Sequence, residues 1–175
     1  MTLADLLSRK KTPILARCFN LVVETYPADT SSFLKREKDR FINPVGSTIS
    51  QEMEAVYDEL LQEMNSDKLA DSLDNIIKIR SVQDFSPSQA VAFVFLLKQA
   101  IREELEDEIQ EKRILDELLA LESQIDKLAL LAFDIYMQCR EKIHEIRLNE
   151  VKAERERAFK LLERINKTYG NPEDT

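Results

Sequence analysis

No glycine or proline occurs between Pro87 and Gly170, so over nearly half of the chain nothing punctuates the backbone into turns. Such a stretch is built for helices. The rest is scarcely more broken, with Gly46 as the other glycine and five prolines in 175 residues. Apolar residues make up 43% and charged residues 33%, too apolar for a disordered chain and too charged for a membrane protein. The expectation is an all-α fold with one core, at an ordinary domain length.

Thr2 followed by Asp5 reads as a helix start, since a hydroxyl caps open amides and an early carboxylate complements the helix dipole. That helix is short and ends near Arg9. Thr12-Pro13 predicts a second start, with Ile14, Leu15, Cys18, Leu21 and Val22 at helical spacing as far as Tyr26-Pro27. Phe33, Leu34, Phe41 and Ile42 then anchor a short helix and a turn. Asn43-Pro44-Val45-Gly46 reads as a turn, after which Ser47 or Thr48 caps a helix with Ile49, Met53, Val56, Tyr57, Leu60, Leu61 and Met64 on its apolar face. Residues 66–80 form the next helix, carrying Leu69, Leu73, Ile76, Ile77 and Ile79. Ser86-Pro87 opens one continuous helix through Phe93, Val94, Leu97 and Ile101, apolar almost all round and therefore central. From Glu103 to Glu122 nine carboxylates stand against two cations, a solvated stretch in which a bend or connection is expected.

The last helix is expected from about Gln124 to Tyr169, about 70 Å of rise. Leu118, Leu121, Ile125, Leu128, Ala132, Ile135 and Cys139 alternate in steps of three and four, one apolar seam facing the domain. A second seam, displaced around the helix, holds His144, Leu148, Val151, Arg155, Ala158, Leu162, Ile165 and Tyr169. One compact domain of this size covers less than that length, so the second seam is read as the contact of a homodimer, with packing inside one chain as the alternative. The domain expectation is 1–143 for the sensory bundle, 144–169 for the helix extension and 170–175 for a flexible tail.

Chemistry is sparse. The one histidine, His144, sits in Glu141-Lys142-Ile143-His144, an E-x-x-H that di-iron bundles use only with a second copy and two further glutamates. His144-Glu145-Ile146-Arg147 loosely resembles the phosphorylated box of histidine kinases, but Leu148 and Asn149 replace the threonine and proline that follow it, and no Gly-rich nucleotide loop exists. A phosphotransfer relay would need an exposed imidazole. Haem needs an axial ligand in the middle of the fold, and His144 lies late. Cys18 and Cys139 sit in apolar helical patterns and read as buried thiols in a reducing, cytoplasmic setting. The net charge of -8 argues against nucleic acid and anionic lipid, and no apolar run is long enough to span a bilayer. Between Arg140 and Lys167 nine cations and six anions interleave, a solvated face. The aromatic pairs Phe93 and Phe95, and Phe133 and Tyr136, read as core. No catalytic, metal or cofactor residue is assigned.

At Asn43-Pro44-Val45-Gly46-Ser47-Thr48-Ile49, at Val82-Gln83-Asp84-Phe85-Ser86-Pro87-Ser88-Gln89-Ala90 and at Tyr136-Met137-Gln138-Cys139-Arg140-Glu141-Lys142-Ile143, the chain resembles the N-terminal sensory domain of RsbR-type stressosome proteins, over nearly its whole length. The resemblance implies a globin-like helical bundle that binds no haem and dimerises, its last helix running on as a linker toward a STAS output domain. Asn43, Pro44, Gly46, Ser86, Pro87, Ser88 and Gln89 are then structural residues. The sequence stops at Thr175, about where such a linker would end, so a stand-alone version without the output domain is expected. The functional expectation is a non-enzymatic sensing or regulatory module that acts as a homodimer on an unidentified protein partner. A passive adaptor and a relay through His144 are the alternatives. A small apolar ligand, if sensed, is expected between the helices at Ile49–Leu61 and Ala90–Ile101.

Overall fold

The computed structural model describes residues 2–62, 65–83 and 85–169. Met64, Asp84 and the expected tail, 170–175, lie outside the described residues. The fold is all-α: α1 (Leu3–Arg9), α2 (Lys11–Val23), α3 (Ala28–Arg36), α4 (Pro44–Leu61), α5 (Ser66–Ser81), α6 (Pro87–Val91), α7 (Phe93–Glu104), a 3-10 turn (Glu108–Gln110) and α8 (Lys112–Tyr169). Two compact units divide between Met137 and Gln138, where the sequence placed the division after Ile143.

In the first unit α1 opens with a capping box, the Thr2 hydroxyl accepting from the Asp5 amide and the Asp5 carboxylate from the Thr2 amide, which satisfies two otherwise open donors. α2 begins at Lys11 rather than behind a Thr12 cap. Pro13 is accommodated because a first-turn residue needs no amide partner, and Lys10 turns its ammonium to Glu108 at 2.8 Å instead of capping. The core forms where α2 packs on α7 and α4 on α5, with α2 also touching α4. Ile14, Val22, Ile49, Leu73, Ile76 and Leu97 are fully or almost fully buried there, each contributing about 2 kcal/mol of transfer free energy. The Tyr57 hydroxyl donates to the Leu7 carbonyl at 3.0 Å and ties α4 to α1.

Two helix boundaries differ from the sequence reading for local reasons. α4 starts at Pro44, with Asn43 as its cap, so the expected turn is the first turn of the helix and neither Ser47 nor Thr48 caps it. The expected single helix from Ser86 to Ile101 is two, broken at Ala92. Its opening is as read: the Ser86 hydroxyl and Gln89 amide complete a capping box with Pro87 in the first turn. The break follows from Arg80, whose guanidinium takes the Gln89 carbonyl at 2.9 Å and the Ala90 carbonyl at 3.1 Å, capping α6 from outside.

α8 begins at Lys112, well before Gln124. The carboxylates of this stretch do not end the helix because they are paired: Glu117 with Arg113 one turn back, Glu122 with Arg102 of α7. Lys98 and Asp126, at 2.8 Å, make a second link between α7 and α8. Within the first unit Leu118, Ile125, Leu128 and Ala132 are buried, but Ile135 is only half-buried and Tyr136 takes the inward place. The aromatic pairs are likewise split. Phe93 and Tyr136 are core, whereas Phe95 is 47% and Phe133 44% exposed.

Candidate functional site

The first unit holds a cavity of about 530 Å³ walled by α2, α3 and α4, inside the size range of small-molecule sites. Leu15, Phe19, Leu34 and Met53 give it apolar walls, and Lys11, Lys35, Glu37 and Glu54 its polar edge. Lys11 bridges to Glu54 at 2.8 Å and Asp58 at 2.7 Å, and these hydrogen bonds, Asp58's first, hold its ammonium above the usual lysine range. Lys35 pairs with Glu24 at 2.8 Å. Of the two expected walls, the helix at Ile49–Leu61 takes part through Met53 and Glu54, while residues 90–101 do not line the cavity. α7 packs directly on α2 instead.

One wall is held by Asn43. Its side-chain amide donates to the Leu34 carbonyl at 3.2 Å and the Glu37 carbonyl at 2.8 Å, while its oxygen accepts from the Gly46 amide at 2.8 Å. The end of α3 and the start of α4 are thereby closed by one buried side chain. Gly46 must be small here, because a Cβ would stand 2.4 Å from the Asn43 amide nitrogen. Pro44 occupies the first helical position beside them.

Arg80 is the largest fully buried side chain of the described residues. Beyond the two α6 carbonyls it donates to the Thr25 hydroxyl at 3.1 Å, and its guanidinium carbon lies 4.1 Å from the Phe85 ring centre and 5.3 Å from that of Tyr26. The two rings meet edge to face at 5.0 Å. No carboxylate among the described residues pairs with it, so burial is the main influence and lowers its pKa. Among the described residues, neither the Tyr26 hydroxyl, also pushed up by burial, nor Nη1 of Arg80 has a hydrogen-bond partner of good geometry. Arg80 went unassigned in the sequence, although it continues the row Leu69, Leu73, Ile76 and Ile77 by one helical turn. Ser88 of the same region is exposed, its hydroxyl 3.2 Å from that of Ser86.

The second unit, described over 138–169, is helical throughout. None of the side chains over 138–168 is buried. Leu148 is 44%, Val151 62%, Leu162 56% and Ile165 44% exposed, and His144, Arg155 and Ala158, which complete the seam, are exposed as well. These four large apolar side chains, at steps of three, eleven and three, share one face of the helix with Arg155 and Ala158 between them, and all four are exposed.

Among the described residues no three His, Cys, Asp or Glu side chains stand together as a metal site. Neither cysteine is in a disulfide. Cys18 is buried to the point that its thiol is pushed up to about 12, which makes it unreactive. No helix among the described residues is long and apolar enough to cross a membrane.

The family described as the RsbT co-antagonist protein rsbRD N-terminal domain matches residues 13–151. The chain is also similar to an uncharacterized protein of Archaeoglobus fulgidus, 26% identical over 130 residues that cover 73% of this chain and 82% of that protein. No solved structure matches the chain.

Proposed function

The chain belongs to the family of the RsbT co-antagonist protein rsbRD N-terminal domain, and from that membership we propose that it is a regulatory, signal-sensing module that works through protein contacts as a homodimer and catalyses no reaction. The observation that carries this reading is the bare stripe of Leu148, Val151, Leu162 and Ile165, since about 100° of apolar helix face is what a partner helix covers. His144 stands outside the buried core, away from where a haem ligand would be needed, in keeping with a globin-like bundle that holds no haem. The two unbridged cysteines fit a cytoplasmic setting. A small apolar ligand, on this reading, sits in the cavity beside Leu15, Phe19, Leu34 and Met53 and biases how α3 and α4 pack.

The test is the solution mass of the full chain by light scattering, alone and as Leu162→Glu. The wild type is expected as a dimer and the variant as a monomer whose first unit keeps its fold, because the replaced side chain is exposed in one chain. A wild-type monomer would sink the homodimer. The relay reading keeps one supporting fact, the exposure of His144. It requires phosphate labelling that disappears in His144→Gln, and an unlabelled wild type rules it out.

A further inference from the structure

The cavity between α2, α3 and α4 is tied on three sides by the protein's own polar groups. Lys11, at the start of α2, reaches Glu54 of α4 at 2.8 Å, and Glu24, just past the end of α2, takes Lys35 of α3 at 2.8 Å. Asn43 closes the third side, between α3 and α4. Glu37 turns one carboxylate oxygen to the Asp39 amide at 2.9 Å and stands next to Lys38 in the chain, a charge of opposite sign. Asp58, which shares the Lys11 ammonium at 2.7 Å, lies outside the lining. The charges of the wall are matched among themselves, so a charged guest would leave water with no counter-charge waiting for it.

What remains toward the open space is of two kinds. On α2, Leu15 and Phe19 stand one turn apart and only half-buried, and the buried Leu34 and Met53 continue that apolar surface. On α4, Ser47, Ser50 and Gln51 follow one another at steps of three and one and share a face of the helix, with Thr12 joining them from α2. None of these four is charged, and among the described residues none of their side chains is bonded elsewhere in the protein. Hydroxyls and amides both donate and accept. A pure hydrocarbon in the cavity would strip water from that polar side and return nothing. A molecule that is apolar on one side and polar on the other satisfies both walls.

Resting on the reading that this cavity holds a small ligand, we infer that the ligand is an uncharged molecule with one apolar face, set against Leu15 and Phe19 of α2, and one hydrogen-bonding edge, set against Ser47, Ser50 and Gln51 of α4.

Two-ring probes of similar size separate the chemistries, and a cavity of about 530 Å³ has room for them. Naphthalene, 2-naphthol, 2-naphthoate and 2-naphthylmethylammonium are each titrated into the full chain while the methyl NMR signals of Leu15, Leu34 and Met53 are followed. 2-Naphthol is expected to move these signals at the lowest concentration. With Ser47→Ala, Ser50→Ala and Gln51→Met combined, none of them a buried position, its lead over naphthalene should shrink about fivefold, the size of a lost hydrogen bond. Tightest binding by either charged probe would overturn the uncharged class and leave the cavity reading standing. Naphthalene matching 2-naphthol, or a lead that survives in the triple variant, would overturn the hydrogen-bonding edge alone. If no probe moves these signals, the inference and the cavity reading fall together.

Discussion

At the scale of single residues, what matters most is which polar groups the fold takes out of water. Arg80 loses its hydration entirely and gains three hydrogen bonds and two ring faces. Such a group is hard to replace, because removing it reopens the carbonyls of Gln89 and Ala90. Cys18 gives a pH dependence with a definite sign. Burial raises its thiol from 9.0 to about 12, and burial also raises the hydroxyl of Tyr57. A folded-state pKa above the unfolded one means that the unfolded chain releases its proton first. The contribution to stability is therefore complete below pH 9 and is lost as the pH climbs from there toward 12. Urea midpoints measured at intervals from pH 8 to 11 should fall, and the fall should be shallower in Cys18→Ala. An identical slope in the two proteins would remove Cys18 from the account.

At the scale of elements, the junction of α3 and α4 shows how a motif can be read correctly as structural and still be misplaced. Asn43-Pro44-Val45-Gly46 has the composition of a turn, yet the side chain of Asn43 makes it a helix start and Gly46 the position beneath the cap. Adding a methyl in Gly46→Ala should cost about 1–3 kcal/mol by overpacking, outweighing the better helix propensity of alanine. In an Asn43→Ala background the same change should become neutral or stabilising, since the atoms it strikes are gone. Denaturant melts of the four proteins in that cycle measure the coupling, and additive effects would mean that the two side chains do not share the space. Most elements were legible: Thr2 and Ser86 as caps, α5 from its apolar row, and a long final helix from the want of breakers. The break at Ala92 was not, because Arg80, which capped α6 by a tertiary contact, lies on another helix. The early start of α8 was hidden for a related reason, as Glu122 reads as solvated until Arg102 is brought beside it.

At the scale of the whole chain, periodicity identified the Leu148 to Ile165 row but could not locate the cavity, which depends on how Leu15, Phe19, Leu34 and Met53 meet from three helices. Nor could it show that Phe95 and Phe133 stay half in water, because apolar character marks a residue that can be buried and not one that is. The second unit carries a further implication. No side chain over 138–168 is buried, so the helix there rests on its own backbone hydrogen bonds, which are marginal in water. In the proposed homodimer its order would then depend on mass action, as in any segment whose folding is linked to association. Amide exchange over 144–165 should slow as the protein is made more concentrated while exchange in α2 and α4 does not change, and equal dilution behaviour of both would refute the linkage. On the homodimer reading, a segment of that kind would report how much of its own protein is present, a gauge of abundance written into the length of a helix.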